Sequence, residues 1–179
     1  LVFGIIAIFL YVGIEVGIPN MANLYMTSPD GLGMAAGVAG TLVGAYWFLM
    51  LCGRLVGGAI GAKVSSRAMM TFVSSVAIVF VLLGMFLPET MTMSLLDAQV
   101  PVGMVFFVLC GLCTSVMWGA IFNLAVEGLG AYTALASGLF MMMVVGGGVL
   151  PLVQNAIAGA AGYMVSYWVP VAGLAYICW

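Results

Sequence analysis

Histidine is absent from the 179 residues, and charge is nearly so, with three basic and five acidic side chains. Without histidine there is no imidazole metal ligand, no imidazole general base and no Ser-His triad. Soluble domains carry about 25% charged residues, whereas here the share is 4%. So few charges cannot solvate the surface of a globule, and a net charge of −2 leaves no footprint for nucleic acid. The four cysteines set up no disulfide framework. Cys110 and Cys113 do form a C-x-x-C, but it lies inside an apolar run and reads as helix packing.

What is abundant is apolar. Hydrophobic residues make up 66% of the chain and glycine contributes 25 residues, with a mean hydropathy of +1.34. Glycine at that level suits membrane helices, where small residues let backbones approach closely. The composition therefore predicts an all-α polytopic membrane protein. The chain begins without Met, carries no charged leader with a small-residue cleavage site, and ends at Trp179 inside an apolar run. A piece of a longer polytopic protein is expected.

A spanning helix needs about 20 mostly apolar residues, and the sequence offers six such runs, at about 1–26, 34–62, 68–87, 101–126, 133–158 and 163–179. Turn signals separate them: Thr27–Gly31, Lys63–Arg67, Pro88–Thr90, Glu127–Gly130 and Gly159–Gly162. Lys63 and Arg67 share one loop, which the positive-inside rule makes cytoplasmic. Both termini and Glu127 then fall on the cytoplasmic side, and Glu89 and Asp97 in a solvated outward loop. The runs are too long and too uniform for a β-barrel, and neither a selectivity filter nor an Arg-rich voltage-sensor helix is present.

Glu15 falls near the middle of the first run. A charge at that depth costs about 2.5–3.5 kcal/mol on insertion scales for Asp, Lys and Arg, so it must face a cavity or a partner. Pro19 lacks the N–H that would bond the carbonyl of Glu15, so an acid and a freed carbonyl coincide at one depth. Asn20 and Asn23, three apart, continue a polar path on one face. The plainer alternative is a structural acid paired with Arg54 or protonated in a packed interface. In the fifth run Gly146–Gly148 precede Pro151, a second helix kink that frees the carbonyl of Gly147, and Gln154 and Asn155 follow. The fourth run holds Thr114, Ser115, Trp118 and Asn123, an indole among hydrogen-bonding groups. That combination suits a sugar, whose C–H faces lie on aromatic rings while its hydroxyls need amides. Tyr46 and Trp47 lie nearer the outer boundary and read as interfacial anchors. Gly40-x-x-x-Gly44, Gly53-x-x-x-Gly57 and Gly57-x-x-x-Gly61 read as close-packing ridges.

Gly53-Arg54-Leu55-Val56-Gly57-Gly58 through Lys63-Val64-Ser65-Ser66-Arg67 resembles the loop signature of the major facilitator superfamily, with Ala62 in place of the usual acid and Ser65 in place of the usual glycine. Three stretches are more specific: Phe9–Gly17, Trp118–Gly130 and Gly146–Gln154 resemble the fucose permease and glucose/galactose transporter branch. Relatives commonly carry a basic residue after the Gly-Leu-Gly, where Ala131 stands here. The resemblance implies the C-terminal six-helix half of a twelve-helix transporter, with an inverted 3+3 helix repeat. It further implies uptake of a hexose or deoxyhexose (glucose, galactose or fucose) by alternating access in the cell inner membrane, coupled to protons or, in some members, to sodium, with no bound cofactor or metal. The missing N-terminal half, the lipid bilayer and the sugar are the expected partners. Substrate contacts are expected from Glu15, Asn20, Asn23, Trp118, Asn123, Gln154 and Asn155, and a cytoplasmic gate from Arg54, Lys63, Arg67 and Glu127. The rival transport reading is efflux of another small solute, since fold does not fix substrate. An intramembrane enzyme is disfavoured, because such chemistry needs clustered acids or histidines near one interface.

Overall fold

The computed structural model describes residues 1–61, 63–95 and 98–179. Three long helices open it: α1 (Val2–Thr27), α2 (Ala36–Gly61) and α3 (Ser66–Phe86). Two broken segments follow, α4 (Val102–Thr114) with α5 (Met117–Val126), and α6 (Thr133–Met143) with α7 (Gly146–Ala161). The chain ends in α8 (Tyr163–Ser166) and α9 (Trp168–Cys178). Among the described residues, 5 segments are long and apolar enough to cross a membrane: α1, α2, α3, Val102–Val126 and Gly130–Ala161. The last apolar stretch, Tyr163–Cys178, is shorter.

Local chemistry sets the ends. Ser65 caps α3 by accepting the Ala68 N–H at 3.3 Å, and Pro88 stands two residues beyond that helix's end, after Leu87 has turned extended. The expected turn over Gly159–Gly162 contracts to one residue. Helix α7 runs through Ala161, and only Gly162, at φ 101°, leaves the helix. That φ is left-handed and suits glycine. The connection after α3, a solvated outward loop by the sequence, contains a hairpin: β1 (Thr92–Leu95) pairs antiparallel with β2 (Ala98–Pro101), in the register Thr92↔Pro101 and Leu95↔Ala98. Asp97 lies outside the described residues, as does Ala62. Glu89, expected to be merely solvated, accepts a hydrogen bond from the Tyr25 hydroxyl, which ties this connection to the end of α1.

The broken segments have separate causes. In α4–α5 the run carries no proline, yet helix geometry lapses at Ser115 and Val116. The Ser115 hydroxyl donates to the Leu112 carbonyl at 2.5 Å, and Thr114 Oγ1 to the Cys110 carbonyl at 3.2 Å. Side-chain hydroxyls thus occupy carbonyls near the lapse, as membrane helices require. In α6–α7 the lapse precedes the triple glycine, where the Gly147 and Gly148 N–H groups bond three residues back, to Val144 and Val145, at 2.9 Å. Pro151 sits inside α7 rather than at the lapse. In α8–α9, Pro170 withholds the N–H that would reach Ser166, and the break falls at Tyr167 between them.

Helix α1 is the central post, packed on α2, α4, α5, α6, α7 and α9. Small residues bring it against α7: Gly13 faces Leu150, Gly17 faces Gln154, and Gly146 lies on the Phe9 backbone. A second close crossing joins α2 to the α4–α5 break, with Gly53 against Ser115 and Gly57 against Val116. The other ridges differ from expectation. A side chain at Gly40 or Gly44 would meet nothing within 4 Å, and one at Gly61 would reach only Met69 at 3.9 Å. Of the three expected ridges, the Gly53–Gly57 row alone packs both its glycines closely on another helix among the described residues. Cys110 is fully buried and Cys113 nearly so, in the core and as free thiols, which fits helix packing for the C-x-x-C.

Candidate functional site

The mid-span acid is held by three neighbours. Arg54 Nη2 meets Glu15 Oε1 at 2.7 Å, and the Tyr11 hydroxyl, one helical turn before Glu15, donates to the same oxygen at 2.8 Å. The Tyr46 hydroxyl donates to the backbone carbonyl of Glu15 at 3.0 Å, and lies 3.2 Å from Thr114 Oγ1. Pro19 leaves that carbonyl without its helical donor, and a tyrosine from α2 supplies one. Tyr46 is 1% exposed, so its expected role as an interfacial anchor is corrected: it is a core residue at the site. The mismatch arises because its hydroxyl reaches inward to α1 rather than outward to a headgroup.

Arg54 stands where the plainer alternative for Glu15 put it, paired with the acid rather than grouped with the other expected gate residues. It precedes the end of α2 at Gly61 by about two helical turns, which places it beside Glu15 instead of with Lys63 and Arg67. Its side chain is 53% exposed while that of Glu15 is 12% exposed, so the acid lies inside and the cation at the surface. Among the described residues Arg54–Glu15 is the one ion pair. Among the described residues Glu127 has no cation within 4.0 Å, and the four expected gate residues are not assembled.

Arg54 opens onto a cavity of about 530 Å³ between α2, the start of α3, and α5, lined also by Ser115, Trp118 and Asn123. Trp118 packs edge-on against Tyr11, ring centroids 6.1 Å apart. One connected cluster therefore runs from Glu15 through Tyr11 to Trp118, and through Arg54 to the cavity. Of the expected substrate residues, Glu15, Trp118 and Asn123 belong to it. Asn20 and Asn155 are exposed elsewhere on α1 and α7, and Asn23 is half-buried. Gln154 is 1% exposed, its Oε1 lying over Gly17 and its Nε2 without a partner among the described residues. Tyr11 and Tyr46 were not among the expected site residues. For Tyr46 the signal was available: a proline-freed carbonyl at mid-membrane demands a donor. No cluster of three or more metal-ligating side chains occurs among the described residues.

No family model matches the chain. A glucose/galactose transporter of Brucella abortus is 31% identical over 177 residues, covering 99% of this chain and 40% of the relative. Among solved structures, the major facilitator superfamily transporter FucP in its outward conformation superposes with a TM-score of 0.84 at 23% identity, covering 98% of this chain and 40% of that one. A second FucP structure, of the E. coli fucose:proton symporter, gives the same values. The chain thus spans about two fifths of the length of the proteins it matches, and those proteins are transporters rather than enzymes. The resemblance carried by the motifs holds over the whole chain: this integral membrane protein has the fold of a major facilitator superfamily transporter and is similar to glucose/galactose transporters in their C-terminal half.

Proposed function

We propose that the chain is the six-helix C-terminal half of a twelve-helix sugar transporter of the inner membrane, with Tyr163–Cys178 as its sixth span and an inverted repeat relating the first three spans to the last three. Both ends of the chain and the Lys63–Arg67 loop are cytoplasmic in this reading. The two halves rock about a midplane site, and a hexose or deoxyhexose enters with a proton. The observation that carries the reading is the Glu15–Arg54–Tyr11–Trp118 cluster, whose Arg54 and Trp118 line an open cavity, in a chain similar to glucose/galactose transporters. A charged pair held at mid-span is costly unless used or compensated, and here it is compensated while one member stays open to solvent. An indole beside amide and guanidinium donors fits a polyhydroxylated ring. Asn123 lines the same wall, and Asn20, Asn23, Gln154 and Asn155 contribute where the other half closes over the cavity. Lys63, Arg67 and Glu127 serve the cytoplasmic gate in the conformation opposite to the one described.

The test is uptake of labelled glucose, galactose and fucose into proteoliposomes holding the full-length protein, with and without an inward proton gradient. Gradient-stimulated uptake of one sugar is expected. Absence of uptake for all three under both conditions overturns the sugar reading and leaves the fold standing.

A further inference from the structure

A second cavity shares Gly57, Met69, Ser115 and Val116 with the first but not Arg54. It is a groove of about 560 Å³ between α2, α3 and the α4–α5 break, a volume in the range of ligand pockets. Val56 and Ile60 of α2, Phe72 of α3 and Leu112 of α4 make its walls apolar. Val56 is 58% exposed and Phe72 70% exposed, so this chain leaves the groove open along its length. At one end the lining passes to Val64 and Ala68, which alternate in sequence with the exposed cations Lys63 and Arg67. Neither cation has a carboxylate within 4.0 Å among the described residues, and the third basic residue, Arg54, is taken by Glu15.

Apolar walls, and two exposed cations each next in sequence to a lining residue, set the chemistry of the occupant. A sugar or a soluble peptide gains nothing from the walls. A zwitterionic lipid fills the walls but carries its own ammonium to the two cations. A lipid with net negative charge satisfies both ends, since near-surface lysines and arginines attract anionic headgroups. We propose that this groove holds an acyl chain of an anionic phospholipid whose phosphate sits between Lys63 and Arg67. This lipid site stands whether or not the sugar reading does.

Native mass spectrometry of the detergent-purified full-length protein, titrated with phosphatidylglycerol or phosphatidylcholine, tests the assignment. Phosphatidylglycerol is expected to be retained in preference, and the K63Q/R67Q variant to lower its retention on the order of thirtyfold, from the attraction of two near-surface cations. Retention of phosphatidylcholine should not move in that variant. Val56→Trp fills the groove and should lower retention of both lipids, with Ile60→Trp repeating the measurement if the first variant does not fold. Equal retention of the two lipids by the unaltered protein overturns the proposal, and so does preference surviving in K63Q/R67Q. Retention unaffected by either tryptophan means that another part of the protein covers the groove, and also overturns it.

Discussion

Replacing Tyr46 by phenylalanine removes one hydroxyl and little else, because the ring stays in a fully packed site. The loss falls on the Glu15 carbonyl, which Pro19 has deprived of its helical donor and which Tyr46 reaches at 3.0 Å. Leaving a buried carbonyl without a donor costs about 1–3 kcal/mol in soluble proteins, while hydrogen bonds between membrane helices average about 0.6 and reach about 1.7 kcal/mol. The carbonyl here has no ladder bond to fall back on, so Tyr46→Phe should cost about 1–1.5 kcal/mol, near the upper end of the membrane range. The decisive measurement repeats the substitution in a Pro19→Ala background. Alanine restores the N–H that bonds the Glu15 carbonyl, so the hydroxyl becomes redundant and the same change should cost about 0.5 kcal/mol or less. Denaturant unfolding in detergent micelles, over all four members of the cycle, reads the coupling. An equal cost of Tyr46→Phe in both backgrounds would refute the link between the proline and the tyrosine.

Other consequences follow from the same packing. Arg54→Gln strands Glu15 beside Tyr11 and should lower stability by about 1–3 kcal/mol, less than the 3–5 of a fully buried pair because the arginine is half-exposed; the double variant with Glu15→Gln should recover part of that loss in the same unfolding assay. Gly57→Leu drives a side chain into Val116 and should cost about 1–3 kcal/mol by overpacking, whereas Gly40→Ala, facing open space in this chain, should leave unfolding of the isolated chain within about 0.5 kcal/mol of the original. Gln154→Leu removes a buried amide whose Nε2 has no partner among the described residues, so stability should hold or rise by up to about 1 kcal/mol. If sugar uptake falls in Gln154→Leu while stability does not, the amide serves the solute; unchanged uptake assigns it no such part.

Apolar runs made the long helices legible, since 20 or so residues without charge have one stable arrangement in lipid. Glu15 was legible for the complementary reason, that an acid at that depth needs a cause. Its partner was legible as one of two roles for Arg54, pairing with the acid or serving the gate. Arg54 lies in sequence beside the cationic loop, and only the rise along α2 separates it from Lys63 and Arg67. The lapse at Ser115 and Val116 carries no proline, and its mark, adjacent Thr114 and Ser115, is common in unbroken helices. The β1–β2 hairpin was beyond reach because strands of four residues show too little alternation to stand out from a polar loop. The glycine ridges were indistinguishable by spacing. Gly53 and Gly57 have Ser115 and Val116 opposite them, and Gly40 and Gly44 have nothing, a difference that belongs to tertiary placement.

The ion pair between Arg54 and Glu15 also bears on how the chain enters the bilayer. The two residues are 39 positions apart, on consecutive helices. As α1 emerges during synthesis its acid has no counter-charge, and as α2 emerges alone its guanidinium has none. Each helix separately carries an insertion penalty that the pair together largely cancels. The pair therefore favours insertion of α1 and α2 as a helical hairpin, with α1 held at the insertion machinery until Arg54 has been made. In Arg54→Gln that delay has no reward, and Glu15 must enter alone.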